Sequence, residues 1–349
     1  MMTRTMAVAG TFISTLAAGL IGGTAATAPK AAKISKTSMP GHRDEYRRPA
    51  SVPYPEDNQP TPDRERLGRT LFFDPRLSGS GWISCGSCHN PGFSWSDGLP
   101  RAIGHGMQTL GRRTPTILNL AWAPALFWDG RAESLEEQAL GPIQAPGEMN
   151  LSLDAMVWRL REIGGYRPLF ERAYPGEPIA AETVAKAIAT FERSVVSAQA
   201  PFDRWIAGDE RAIPPSARRG FTLFNEKAHC SVCHAGWRFT DDGFYDIGMD
   251  ATDIGRGKVT PKIELTHYAF KTPTLRNVAL RAPYLHDGSA ANLQAVIELY
   301  NRGGAVHRPS VSPEIKPLNL TEGEVQDLIA FMQTLTSQDA ETRIPALPR

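Results

Sequence analysis

This chain of 349 residues has no surplus of charge: 38 Lys and Arg stand against 37 Asp and Glu, a formal net charge of +1. Nothing in that balance would neutralise a polyphosphate, so nucleic acid is not an expected partner. Long apolar runs are missing too. Beyond the first 28 residues no segment is apolar for long enough to cross a bilayer, so no membrane span is expected in the mature chain. Strand-like alternation is scarce and helical spacing of apolar residues is common, which makes the expected fold class mainly α. Cysteine is scarce as well, with four in the whole chain.

What the N-terminus does have is Arg4, an apolar stretch from Met6 to Ile21, and small residues ending in Ala26-Thr27-Ala28. That is the layout of a secretory signal over residues 1–28, with the periplasm as the destination. An uncleaved anchor is the plainer alternative. Residues 29–60 are rich in Pro and charge and read as an arm or linker without a catalytic motif. The remaining length allows about two domains, expected over residues 61–212 and 213–349.

The four cysteines fall as Cys85-Gly86-Ser87-Cys88-His89 and Cys230-Ser231-Val232-Cys233-His234. An even count in an exported chain ordinarily points to disulfides. Here the spacing overrules that: C-x-x-C-H is the attachment pattern of haem c. Two thiols a turn apart bond the two vinyl groups, and the adjacent imidazole is held under the iron. The competing reading is one zinc site built from all four thiolates, which would leave His89 and His234 without a role.

A duplication surrounds these sites. Gly68-Arg69-Thr70-Leu71-Phe72 precedes the first and Gly220-Phe221-Thr222-Leu223-Phe224 the second. Downstream, Thr114-Pro115-Thr116, Asn119, Asp129-Gly130, Ala132 and Leu135 recur as Thr272-Pro273-Thr274, Asn277, Asp287-Gly288, Ala290 and Leu293, at a constant offset of 158 positions. Two equivalent haem domains on one plan are therefore expected. Val184, Ile188, Phe191 and Val195 mark one helix, and Val325, Leu328, Ile329, Met332 and Leu335 mark another, with Thr321 and Glu324 as its capping box.

The second face of each iron decides its chemistry. By the same offset Trp128 matches His286 and Pro142 matches Tyr300. Leu293, Val296, Ile297 and Tyr300 follow i, i+3, i+4, i+7, so Tyr300 is either a core residue or a ligand. Met249 and Met332 are competing sixth ligands, although Met332 lies on an apolar stripe. Trp128, Gln138 and Glu148 follow at ten-residue intervals. A carboxyl and an amide beside an open iron can move a proton between peroxide oxygens, and Glu148 is the acid-base candidate. His105, between two glycines, is either a removable ligand or a surface histidine.

These motifs, with Phe127-Trp128-Asp129-Gly130-Arg131-Ala132, Leu135-Glu136-Glu137-Gln138 and Ala282-Pro283-Tyr284-Leu285-His286-Asp287-Gly288, resemble the bacterial di-haem cytochrome c peroxidase and MauG superfamily over roughly residues 50–340. The resemblance implies two cytochrome c-like domains with two covalently bound haem c groups facing a common interface. It implies that the haem on His89 reacts with peroxide, with Gln138, Pro142 and Glu148 in its distal pocket and Trp128 between the haems. In ordinary peroxidases the second haem, here on His234, takes a methionine fourteen residues after the His of the H-D-G turn; that position is Tyr300. A tyrosine there resembles the MauG branch, which completes the tryptophan tryptophylquinone of the methylamine dehydrogenase precursor by oxidising tryptophans at a distance. An anionic phenolate favours ferric and higher states.

The alternative is a peroxidase drawing electrons from a small cytochrome c or cupredoxin, for which His105 matches the displaceable histidine. A plain electron wire would leave Glu148 and Gln138 without a task. The family's calcium is in question. Its Asn position is Arg113 and its T-x-P run is Arg281-Ala282-Pro283, where the Arg281 carbonyl remains as a ligand beside two cations.

Overall fold

In the computed structural model, residues 43–349 are described and all belong to one compact unit; the expected signal segment and the start of the arm lie outside the described residues. The helices run in chain order α1 (Pro62–Phe72), α2 (Cys85–Cys88), α3 (Leu135–Gln144), α4 (Leu153–Glu162), α5 (Arg167–Ala173), α6 (Ala181–Ser194), α7 (Pro201–Ile206), α8 (Pro215–Asn225), α9 (Leu293–Asn301) and α10 (Glu322–Gln333). Among the described residues, paired strands are confined to β1 (Phe244–Tyr245) against β2 (Phe270–Lys271). The mainly α expectation holds.

Each half is organised by one close helix crossing. Thr61 caps α1 by accepting from the Arg64 N–H at 3.2 Å, and Pro62 occupies the first turn, where its missing N–H is harmless. Leu67, Leu71 and Phe72 are fully buried and pack α1 on α6. At the contact, a Cβ on Gly68 would stand 1.9 Å from the Ala187 carbonyl oxygen. In the other half α8 crosses α10, where a Cβ on Gly220 would stand 2.0 Å from the Asp327 oxygen. The duplicated lead-ins therefore carry glycine because two backbones touch there. Gly68→Ala and Gly220→Ala are each expected to push the helices apart and lower stability by about 1–3 kcal/mol, seen as a fall in the thermal midpoint of the haem-loaded protein. An unchanged midpoint would mean the crossings have slack.

Among the described residues two main hydrophobic cores result, beside a small cluster of Leu126, Ala132, Leu135 and Ala189. One is drawn from residues 67–195 and includes Val184, Ile188, Phe191 and Val195; the other is drawn from Tyr46 and residues 202–335 and includes Val325, Leu328, Met332 and Leu335. The capping box forms as expected, with Glu324 N–H to Thr321 Oγ1 at 3.3 Å and Thr321 N–H to Glu324 Oε2 at 2.8 Å. The duplication extends to individual hydrogen bonds. Ser96 Oγ donates to the Thr114 carbonyl at 2.8 Å and Thr240 Oγ1 to the Thr272 carbonyl at 2.7 Å. Asn119 and Asn277, both left-handed, receive the N–H of Ser197 at 3.0 Å and of Ser337 at 2.8 Å.

The described part of the arm is no free linker. Tyr46 is buried in the second core between Phe221 and Phe239, and its hydroxyl donates to Asn225 at 2.9 Å. Asn58, fully buried, donates to Glu136 at 3.1 Å and to the Lys186 carbonyl at 2.9 Å. Isolated anchors of this kind have no periodicity, so composition alone makes the segment look detached.

Candidate functional site

The two cysteine pentapeptides fold as local turns with the same internal bonding. Cys85–Cys88 is the single turn α2, started by Ser84, whose N–H is received by Ser87 Oγ at 3.0 Å. Cys230–Val232 is a 3₁₀ turn. In each, the histidine N–H returns to the first cysteine's carbonyl, at 2.8 Å for His89 and 2.9 Å for His234. Each Nδ1 then faces a backbone carbonyl, Trp95 at 3.2 Å and Phe239 at 2.8 Å. That makes Nδ1 the donor and leaves Nε2 with its lone pair, as an iron ligand requires. Burial lowers both imidazole pKa values and keeps the rings neutral. Cys85 packs on the first core and Cys230 on the second, so the four thiols do not converge on one zinc site.

A cavity of about 830 Å³ opens over the first pentapeptide. Cys85, Cys88 and His89 form one side, and Trp128, Gln138, Pro142 and Glu148 also line it. The expected distal set is thus brought together. Gln138 and Pro142 lie on α3, where Pro142 lacks the N–H that would bond the Gln138 carbonyl one turn back. Glu148 follows α3 on a turn whose N–H returns to Ala145 at 2.9 Å. Burial raises its carboxyl pKa, against a smaller lowering by the Arg131 charge. The His105 side chain is not among those lining the cavity, although its N–H bonds the Gly147 and Glu148 carbonyls at 2.9 and 2.8 Å. Its Nδ1 is buried without a partner.

Trp128 lies at the junction of the halves. Its indole N–H donates to the Arg113 carbonyl at 2.8 Å, and its own carbonyl accepts from Lys271 at 2.8 Å. Its ring meets its duplication counterpart His286 edge-on at 6.5 Å, and His286 stacks on Phe270 at 3.6 Å. Burial pushes the His286 imidazole down to about 4, so it is neutral at pH 7.

On the second site, Tyr300 lies on α9 and is half-buried. Burial raises the phenol pKa, with smaller contributions from the Cys233 and Cys230 charges. Once those sulfurs are thioethers, the two cysteine contributions vanish and burial alone opposes ionisation. Met249 is buried and Met332 belongs to the second core. Trp205 is fully buried in that core; Trp237 is half-buried, edge-on to Trp122 at 4.7 Å.

Comparison with known proteins matches residues 62–211 to the di-haem cytochrome c peroxidase family and residues 217–336 to cytochrome c. "Methylamine utilization protein MauG" of Methylorubrum extorquens is 52% identical over 320 residues, 91% of this chain and 90% of that protein. The chain belongs to the di-haem cytochrome c peroxidase and MauG family. "Cytochrome c551 peroxidase" of Pseudomonas aeruginosa is 35% identical over 83% of this chain and 84% of its own length. A solved MauG-like protein associated with microbial copper homeostasis superposes with a TM-score of 0.76 at 33% identity, covering 83% of this chain and 95% of that one. As a member of this di-haem family the chain is a haem-dependent oxidoreductase with two covalently bound haem c groups.

The calcium of the di-haem family does not fit the residues present here. The Arg281 carbonyl, the ligand expected to remain, accepts from Arg113 Nη2 at 2.6 Å, so a cation already occupies that oxygen. Sequence reasoning also passed over Arg112, which bridges Asp129 and Asp253, each at 2.6 Å, and over Glu192, which lines the cavity from α6. The signal for Glu192 was available: it is a carboxylate on the apolar stripe of Ile188, Phe191 and Val195.

Proposed function

We propose that this protein is a MauG-like enzyme of the periplasm that uses peroxide, or oxygen with electrons, to oxidise tryptophans in the methylamine dehydrogenase precursor from a distance. The observation that carries the reading is Tyr300, on α9 fourteen residues after His286, at the position where peroxidases of the family keep methionine. The 52% identity to a methylamine utilization protein supports it.

The haem iron supplies the redox chemistry when bound. The chain's own residues supply proton handling and placement. Glu148 takes a proton from one peroxide oxygen and returns it to the other, as heterolysis of the O–O bond requires. Gln138 presents an amide to the same space. Trp128 holds its indole N–H on a carbonyl, which cannot take the proton, so charge that passes through this ring is not trapped by deprotonation. The Tyr300 phenol, which burial keeps neutral, would hold a ferric haem iron as its phenolate, its proton leaving to solvent, and the resulting anion would oppose reduction of that site.

Tyr300→Met is the test. The variant is expected to change the ferric spectrum of the second haem and to abolish oxidation of the precursor, while gaining rapid peroxide-driven oxidation of a reduced small cytochrome. An unchanged spectrum would remove Tyr300 from the iron. Rapid oxidation of that cytochrome by the unaltered protein would instead favour the peroxidase reading, with His105 as its displaceable ligand.

A further inference from the structure

Four arginines are buried among the described residues: Arg113, Arg193, Arg276 and Arg281. Two are paired as buried cations need to be. Arg193 donates to both oxygens of Glu136 at 2.6 and 2.8 Å, and Arg276 reaches Asp203 at 2.9 and 2.8 Å. The other two touch no carboxylate, although the Asp97 charge acts on Arg113 from beyond contact. Arg113 donates to the carbonyls of Arg281 at 2.6 Å and Thr114 at 3.3 Å, and Arg281 donates to those of Arg276 and, at 2.7 Å, Thr274. The Arg113 Nε has no partner at all. Both side chains line the cavity that contains Cys85, Cys88 and His89. Their charges also act on each other, since burial first and Arg113 second push the Arg281 guanidinium down to about 9.

Two adjacent guanidinium ions taken out of water with carbonyl oxygens as their only hydrogen-bond partners are strongly unfavourable unless an anion meets them. Haem c brings such an anion into this cavity. Its vinyl groups are consumed by the cysteines, and its two propionate carboxylates match the planar donor fork of arginine. One arginine comes from each half of the duplication, so a carboxylate held by both also ties the halves together. We propose that Arg113 and Arg281 form the anchoring site for haem propionate at this junction, and that their guanidinium charges stand in for a bound metal cation there.

The test uses the haem-loaded protein with Arg113→Gln, Arg281→Gln and Arg113→Lys, with haem content checked first. Midpoint potentials are then titrated spectroelectrochemically between about pH 6 and pH 8. Paired with both arginines, the propionate stays ionised, so the unaltered protein should show a flat profile. In either Gln variant the first haem's potential should fall, because a cation favouring ferrous iron is gone, and a slope should appear as the propionate titrates. Arg113→Lys keeps the charge without the fork and should lie between them; it is the variant to read if Arg113→Gln loses haem. Potentials and slopes unchanged in all three would overturn the proposal. So would a saturable response of the unaltered protein to added phosphate, which would make this a site for free anions. Elemental analysis should find well under one calcium per chain, with no spectral response to a chelator; stoichiometric calcium would show that the guanidinium pair does not replace the metal.

Discussion

Glu148→Gln is expected to slow the reaction with peroxide by about 10²–10⁴-fold, the usual contribution of a positioned acid-base group, while leaving the resting Soret spectrum close to that of the unaltered protein. The substitution keeps the shape and a hydrogen-bonding end but removes the titration. Both halves of the expectation follow from where the carboxyl sits. It lines the cavity with Gln138 and Pro142, so it faces the space peroxide must enter, yet it is no candidate for iron ligation. Burial raises its pKa, which makes the carboxylate a stronger base toward peroxide. A group that must accept a proton and then return it gains from that. The base form starts the sequence, so the rate of the unaltered enzyme should rise with pH through a titration above the ordinary glutamate range and then level off. The Gln variant should lose that limb. Arg131 provides the opposing influence on the carboxyl, and its side chain is 43% exposed, so Arg131→Gln should move the limb upward only slightly. Stopped-flow absorbance with peroxide in excess reads all three. Unaltered kinetics in Glu148→Gln would remove the residue from the mechanism.

Much of this site was visible in the chain because its parts are local or periodic. A C-x-x-C-H turn carries its chemistry in five consecutive residues, and the helix stripes through Val184–Val195 and Val325–Leu335 need only the 3.6-residue period. The constant 158-position offset then paired Trp128 with His286 before any geometry was available, and the two rings do meet. What local pattern leaves illegible depends on long-range approach. Arg113 and Arg281 are 168 residues apart; only the family resemblance put them at one place, and no local pattern announces that one guanidinium will cover the other's carbonyl. The bridge from Arg112 to Asp253 spans 141 residues in the same way. Tyr46 sits in a stretch whose composition reads as solvent-exposed, and its burial is decided by three phenylalanines from the far half, Phe202, Phe221 and Phe239.

Glu192 gives the largest expected effect on stability, and its sign is fixed by burial. The side chain is 3% exposed on α6, its Oε2 has no hydrogen-bond partner, and the neighbouring Arg193 is already committed to Glu136. Burial pushes its pKa up to about 8, with the Arg193 charge opposing and the Glu136 charge adding. The folded protein therefore holds a proton at neutral pH that the unfolded chain, with an ordinary glutamate pKa near 4.3, has released. Stability linked to this residue is fully present below about pH 4.3 and is lost as pH rises through about 8, at about 1.4 kcal/mol per unit. The whole window amounts to roughly 5 kcal/mol. Glu192→Gln should remove that dependence, so the difference in unfolding free energy between variant and unaltered protein should grow in the variant's favour from about pH 5 to about pH 8. A buried amide also lacks partners, but its penalty is the same at every pH, which makes the slope and not the offset the discriminating quantity. Denaturant titrations of the haem-loaded proteins across that range measure it. Parallel stability curves would show that Glu192 is ionised in the folded state, and a counter-charge would then have to lie on the cavity side of α6.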